Sequence, residues 1–232
     1  MITRAAGLPV SAALVMGCMK EFRGELHRLS RLREYMNRRH QIDLRTRRRG
    51  VPNNRLMHDL PNYITQTAAG YLIGEPIAYA CAQSEALAQV LAAYRAADVD
   101  SVDCELAVDA AAYGRAVELV YADEQSLPRV AQIDPLCAFV VYGEDASHRP
   151  LFGVLTGETR DESGHVIGVT ADVFTPDERV HFAGKTQTAL AETSRERHFF
   201  GGVPMIEYWN NAHETGDFEG VLPLIDAYDA LQ

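Results

Sequence analysis

Between Val102 and Glu124 the hydrophobic period changes from that of a helix to that of a strand. Leu106, Asp109, Ala110 and Tyr113 fall at i, i+3, i+4 and i+7, and the alanines among them favour helix. Gly114 stops that helix, as glycine does at a helix C-terminus. From Arg115 the period is two. Val117, Leu119 and Tyr121 point one way, and Ala116, Glu118 and Val120 the other. Asp123-Glu124-Gln125-Ser126 supplies the turn residues that close the strand. A single glycine therefore joins a helix directly to a strand.

The same patterns organise the rest of the chain. Residues 1–17 read as a flexible lead-in. Phe22, Leu26, Leu29, Leu32 and Met36 predict a helix from about Cys18 to Asn37, with arginines on its other face. A second helix is expected from about Arg55 to Ile73, with Leu56, Leu60, Tyr63, Ile64, Thr67 and Tyr71 on one side. Pro61 either kinks it or marks its true start. Gly74-Glu75-Pro76 stops it, and a third helix, capped by Ser84, runs to Ala96. After the central joint the chain is strand-rich. Strands are expected over Arg129–Ile133, Ala138–Tyr142, Leu151–Glu158, Val166–Phe174, Arg179–Phe182 and Val203–Tyr208. Asp217 is expected to cap a last helix that buries Phe218, Val221, Leu222, Ile225 and Tyr228, with Pro223 bending its second turn. That helix is still in period at Gln232. The order is helices, strands, helix, which is an α+β fold of N-terminal helices packed on an antiparallel sheet.

Charge is uneven. Twelve Lys and Arg stand against four Asp and Glu between Lys20 and Arg55, but eight against twenty-five from Asp98 onward. A basic region on an acidic body reads as a nucleic-acid contact, a charge-complementary partner surface or a solvated basic helix. Cys18, Cys81, Cys104 and Cys137 are far apart and form no C-x-x-C pair. They read as reduced, mostly buried thiols rather than zinc ligands or a disulfide framework. The apolar run from Leu8 to Met19 is too short to span a bilayer, so no membrane role is expected.

Catalytic signatures are sparse. The chain has no G-x-S-x-G, P-loop or H-E-x-x-H motif, and its histidines never pair at i, i+4. A metal hydrolase built from Asp109, Glu118 and His198 is conceivable, but no spacing favours it. No catalytic residue, metal or cofactor is expected. Arg45, Arg47, Arg48 and Arg49 are the best nucleic-acid candidates, in an adaptor reading, though no aromatic residue interleaves them for stacking. Tyr113 reads as a core aromatic that closes its helix, Arg115 as a partner for Glu118 or a neighbouring subunit, and Trp209 as a packing or interface anchor.

Several motifs then occur in order. Pro52-Asn53-Asn54-Arg55 precedes Ala69-Gly70-Tyr71-Leu72-Ile73-Gly74-Glu75-Pro76-Ile77. Asp109, Tyr113, Gly114, Ala116, Glu118, Tyr121, Asp123 and Glu124 follow at fixed spacing. Next come Ile133-Asp134-Pro135, Phe139-Val140-Val141-Tyr142 and Gly202-Val203-Pro204-Met205-Ile206-Glu207-Tyr208 with Asn210-Asn211. Gly216-Asp217-Phe218-Glu219 and Leu224-Ile225-Asp226-Ala227-Tyr228 complete the run. Together they resemble the portal proteins of tailed bacteriophages, SPP-type branch, over roughly residues 20–232.

The resemblance implies a structural protein of the virion, assembled in the host bacterial cytoplasm. It implies copies of the chain closed into a ring, usually dodecameric, at one capsid vertex. Double-stranded DNA would pass through the ring, and terminase, capsid or scaffold, and head-tail adaptor proteins would be its partners. Residues 18–215 would be the wing-like α+β domain and 216–232 the start of a stem helix, so the chain would be the N-terminal part of a longer portal. The motif residues expected to hold the fold are Gly70, Gly74, Pro76, Asp109, Tyr113, Gly114, Glu118, Pro204, Asn211 and Asp217. Full portals continue through a clip and a second stem helix, and no DNA-contact residue is carried over to this chain.

Overall fold

The computed structural model describes residues 1–46 and 55–231. By contacts the chain divides into two compact units, Met1–His27 with Val117–Glu207, and Arg28–Ala116 with Tyr208–Gln232. The described residues form an α+β fold of helices, a mixed six-stranded sheet and a three-stranded sheet.

In the first unit the larger sheet has the order β1 (Ile2–Arg4), β4 (Ala138–Gly143), β5 (Pro150–Arg160), β6 (Val166–Phe174), β7 (Glu178–Gly184) and β8 (Ala191–Arg197). The run from β4 to β8 is antiparallel, while β1 joins β4 in parallel, with Ile2 opposite Val141. The expected flexible lead-in therefore contains a strand, and helix α1 (Ala12–Met36) begins before Cys18. β8 was also unread in the sequence, because all seven of its residues are exposed and it carries no apolar alternation.

The core explains why β4 is apolar on both faces. Phe139 meets Phe22 of α1 with ring centroids 4.7 Å apart. Ala138 and Val140 join Val117 and Leu119 of β2 (Arg115–Ala122), Phe174 and Met205 in one buried cluster. A strand covered on both sides reads as a continuous apolar run. Met205 packs so closely that a Cβ at Gly153 would lie 2.6 Å from its sulfur. β2 lies between β3 (Pro128–Ile133) and β9 (Met205–Trp209) in the second sheet. The expected Asp123 turn closes the β2–β3 hairpin, with Oδ1 of Asp123 accepting from the amides of Gln125 and Leu127 at 3.0 and 2.9 Å.

The second unit holds the C-terminal part of α1 from Arg28 onward, α2 (Leu60–Leu72), α3 (Ser84–Ala96), α4 (Val99–Tyr113) and α5 (Leu222–Ala230). Pro61 stands in the first turn of α2, where its missing N–H costs nothing, so α2 starts there rather than at Arg55. The buried face of α2 is Pro61, Thr65 and Ala69. Tyr63 and Tyr71, expected on the core side, are 70% and 90% exposed. Small residues win this face because they allow α4 to approach, and the large ones are left outside. Ser84 is the first residue of α3 rather than its cap, and no side chain caps that helix end. Cys18 is buried and Cys137 half-buried, but Cys81 and Cys104 are exposed, which corrects the expectation of mostly buried thiols.

A clamp on the helix–strand joint

The joint between α4 and β2 is as the change of period predicts. Gly114 sits at φ +82° and its amide donates to Ala110 O at 2.9 Å, ending α4. Left-handed backbone is where glycine avoids the Cβ penalty. A second constraint comes from the segment that follows β9. A Cβ at Gly114 would fall 2.6 Å from the carbonyl carbon of Glu214 and 2.7 Å from that of Thr215. A Cβ at Gly216 would lie 2.9 Å from the carbonyl carbon of Ala112. Two glycines thus let two backbones touch.

Hydrogen bonds hold the contact. Asp217 N donates to Ala111 O at 2.7 Å, and Asn210 N donates to Gly114 O at 3.0 Å. The loop itself is tied by its two asparagines. Asn210 Nδ2 donates to Thr215 O at 3.0 Å and to Asp217 Oδ1 at 2.8 Å. Asn211 Nδ2 donates to Thr215 O at 2.7 Å, while its Oδ1 accepts from His213 N at 3.0 Å and Thr215 Oγ1 at 3.2 Å. Asp217 therefore closes this loop instead of capping the last helix. A 3-10 turn, Glu219–Val221, intervenes, and Pro223 lies in the first turn of α5, where no bend results.

Cations complete the joint. Arg28 reaches Tyr113 O at 3.4 Å, at the negative end of α4, and pairs with Glu219 at 2.8 Å. Glu219 Oε2 also accepts from Gly216 N at 3.1 Å. Arg33 stands 5.7 Å from the centroid of the Tyr113 ring, and Arg115 stands 5.8 Å from that of Trp209. Tyr113 is buried, as a core aromatic should be.

α5 is fastened by carboxylates that the sequence reading missed. Asp229 is fully buried. Its Oδ2 lies 2.6 Å from Nδ1 of His40, and its Oδ1 accepts from His58 N at 2.9 Å. The His40 ring stacks on Tyr35 with centroids 4.8 Å apart. One turn earlier Tyr35 Oη donates to Asp226 Oδ1 at 2.7 Å. Burial, then that carboxylate, pushes the Tyr35 phenol up to about 12. At Asp59, beside His58, burial alone would raise the carboxyl, but Asn62 and Arg38 outweigh it and hold it below its usual range. The buried face of α5 is Leu222, Ile225 and Asp229, so Tyr228, expected inside, is half exposed. The period that selects Leu222 and Ile225 also selects Asp229. An acidic residue on an apolar stripe was the available signal.

The remaining motif residues are spread through the chain. Gly74 must lack a side chain because a Cβ there would collide with the carbonyl oxygen of Gly70, and Pro76 follows in the same unit. In the first unit Pro204 O accepts from Val120 N at 2.8 Å, and Glu118 is buried in β2 opposite Gln132. Asp109 is half-buried on α4. Of the nucleic-acid candidates, Arg45 donates to Ala230 O at 3.4 Å, and Arg47, Arg48 and Arg49 lie outside the described residues. Among the described residues no group of three or more His, Cys, Asp or Glu side chains could hold a metal ion. No helix among them is long and apolar enough to cross a membrane.

A family model described as phage portal protein, SPP1 Gp6-like, matches residues 18–232. No curated protein matches the chain significantly.

Proposed function

The chain belongs to the phage portal protein family, SPP1 Gp6-like, and we propose that it is a subunit of the portal ring at the capsid vertex. The role is structural rather than enzymatic. Copies of the chain would close into a ring around the path taken by double-stranded DNA during packaging and ejection. The same ring would seat terminase during packaging and the head-tail adaptor afterwards. In this reading residues 18–215 form the wing and α5 begins a stem helix.

The observation that carries the proposal is the family match over residues 18–232. The clamp gives it a physical rationale. A subunit under load from a packaging motor needs a stiff junction where one element hands force to the next. Within the second unit the end of α4, the Asn210–Asp217 loop and α5 are held by backbone contact, by the Arg28–Glu219 pair and by the fully buried Asp229.

Electron microscopy of particles assembled with and without this gene product tests the role. Loss of the vertex ring and of packaged DNA on deletion is expected. Normal, filled particles lacking the protein would overturn it.

A further inference from the structure

The segment from Leu60 to Tyr94 contains only two charged residues, Glu75 and Glu85. No side chain of α3 is buried. Ile77, Tyr79, Val90 and Tyr94 are large apolar or aromatic residues left exposed on this one segment. Depletion of charge with enrichment of aromatics is the composition of an interface core, not of a solvated surface.

The segment also has a cavity. Its volume is about 290 Å3, and Ile77, Tyr79, Tyr94, Arg95, Asp98 and Asp100 are among its lining residues. The two tyrosine rings meet edge to face at 5.4 Å. Neither Asp98 nor Asp100 pairs with a cation among the described residues, although Arg95 shares the cavity wall. Nearby, Asp103 is pushed up by burial and by the Asp100 carboxylate, which marks uncompensated negative charge on α4. Aromatic faces beside carboxylates make a receptor for an organic cation. A guanidinium suits such a wall best, because it stacks on rings and bonds carboxylates at once.

The same chain carries the complementary surface. Lys20, Arg23 and His27 recur at i, i+3 and i+7 on α1, and all three are exposed. Neither Lys20 nor Arg23 forms an ion pair among the described residues.

We propose that the α3–α4 cavity receives Arg23 from a second copy of this chain, with Lys20 of that copy facing the acidic rim. This rests on the ring reading and names the contact that closes it. The two surfaces are different patches of the chain, so the contact is heterologous, the kind that generates rings. The tyrosine-lined cavity supplies the buried anchor and the carboxylates select a cation over an apolar knob.

Charge reversal and its repair test the contact. Arg23→Glu and Asp100→Arg would each be made alone and then together, with folding checked by circular dichroism. Self-association would be followed by sedimentation velocity and native mass spectrometry. Each single change is expected to weaken association by about tenfold or more, and the combined exchange to recover most of it. Arg23→Lys is expected to weaken it less than Arg23→Glu. Single variants that associate like the parent, or a combined variant that recovers nothing, would overturn this contact and leave the ring reading standing. A parent chain that stays monomeric at every concentration would overturn both for this chain. Binding of a DNA duplex is measured in parallel. If Arg23→Glu abolishes only that binding, the α1 surface meets nucleic acid and the proposal is wrong.

Discussion

Nδ1 of His40 stands 2.6 Å from Oδ2 of Asp229, and neither side chain is exposed to solvent. The second oxygen of Asp229 accepts the backbone amide of His58. One carboxylate on α5 thus satisfies groups from two segments that are far away in sequence. Asp229→Ala would leave a buried imidazole and an amide without their acceptor. The expected loss is about 3–5 kcal/mol. Thermal denaturation should show it as a midpoint roughly 10 °C lower. Asp229→Asn keeps an acceptor for one partner and should cost less. A midpoint unchanged by Asp229→Ala would mean that α5 is not fastened through this residue.

Gly114 and Gly164 offer a matched pair. Both sit at φ +82°, but a Cβ at Gly164 meets nothing within 4 Å, while one at Gly114 meets the backbone of Glu214 and Thr215. Alanine at 164 should cost only the left-handed penalty, about 1–2 kcal/mol. Alanine at 114 adds a collision with main chain that cannot rotate away, so its cost should be several-fold larger, and Gly114→Val should unfold the chain. Tyr113→Ala, which empties a buried site beside the same joint, should cost about 3–5 kcal/mol. Equal midpoints for the two alanine variants would show that the loop does not press on the joint.

Tyr35 gives a pH dependence with a definite sign. Its phenol is raised to about 12 in the folded chain by burial and then by Asp226, whereas an unperturbed tyrosine ionises near about 10. Ionisation therefore favours the unfolded chain first. The stabilisation is complete below about pH 10 and is lost as pH rises toward about 12. The loss amounts to about 3 kcal/mol over that window. Tyr35→Phe should flatten this limb of the stability–pH curve. A curve of unchanged slope in the variant would assign the alkaline loss to other groups.

The architecture was legible where a single period or a single residue decides the structure. The shift from 3.6 to 2 around Gly114 located the α4–β2 joint, because helix and strand patterns exclude each other and glycine alone fits between them. The β5–β6 hairpin was legible for the same reason. What stayed hidden depends on partners distant in sequence. β8 is an exposed edge strand, so hydrogen bonds to β7 specify it and apolar alternation does not. β1 needs β4 beside it to exist. On α2 the largest apolar residues suggested the wrong face, since close approach of α4 favours Thr65 and Ala69 over Tyr63 and Tyr71. Asp217 looked like a helix cap because its spacing to the next apolar run is right, but Asn210 claims its carboxylate. The motif residues Tyr113, Gly114, Asn211 and Asp217 do come together in the clamp. The buried Asp229 of α5 was unread because acidic residues at a helix end are usually solvated.

The central claim is that copies of this chain form a closed ring, and native mass spectrometry with class averages from electron microscopy tests it most directly. The account predicts one discrete oligomer with cyclic symmetry and a central opening, its mass a whole multiple of the subunit mass. A chain that remains monomeric at high concentration, or that forms open filaments of no fixed size, would contradict it.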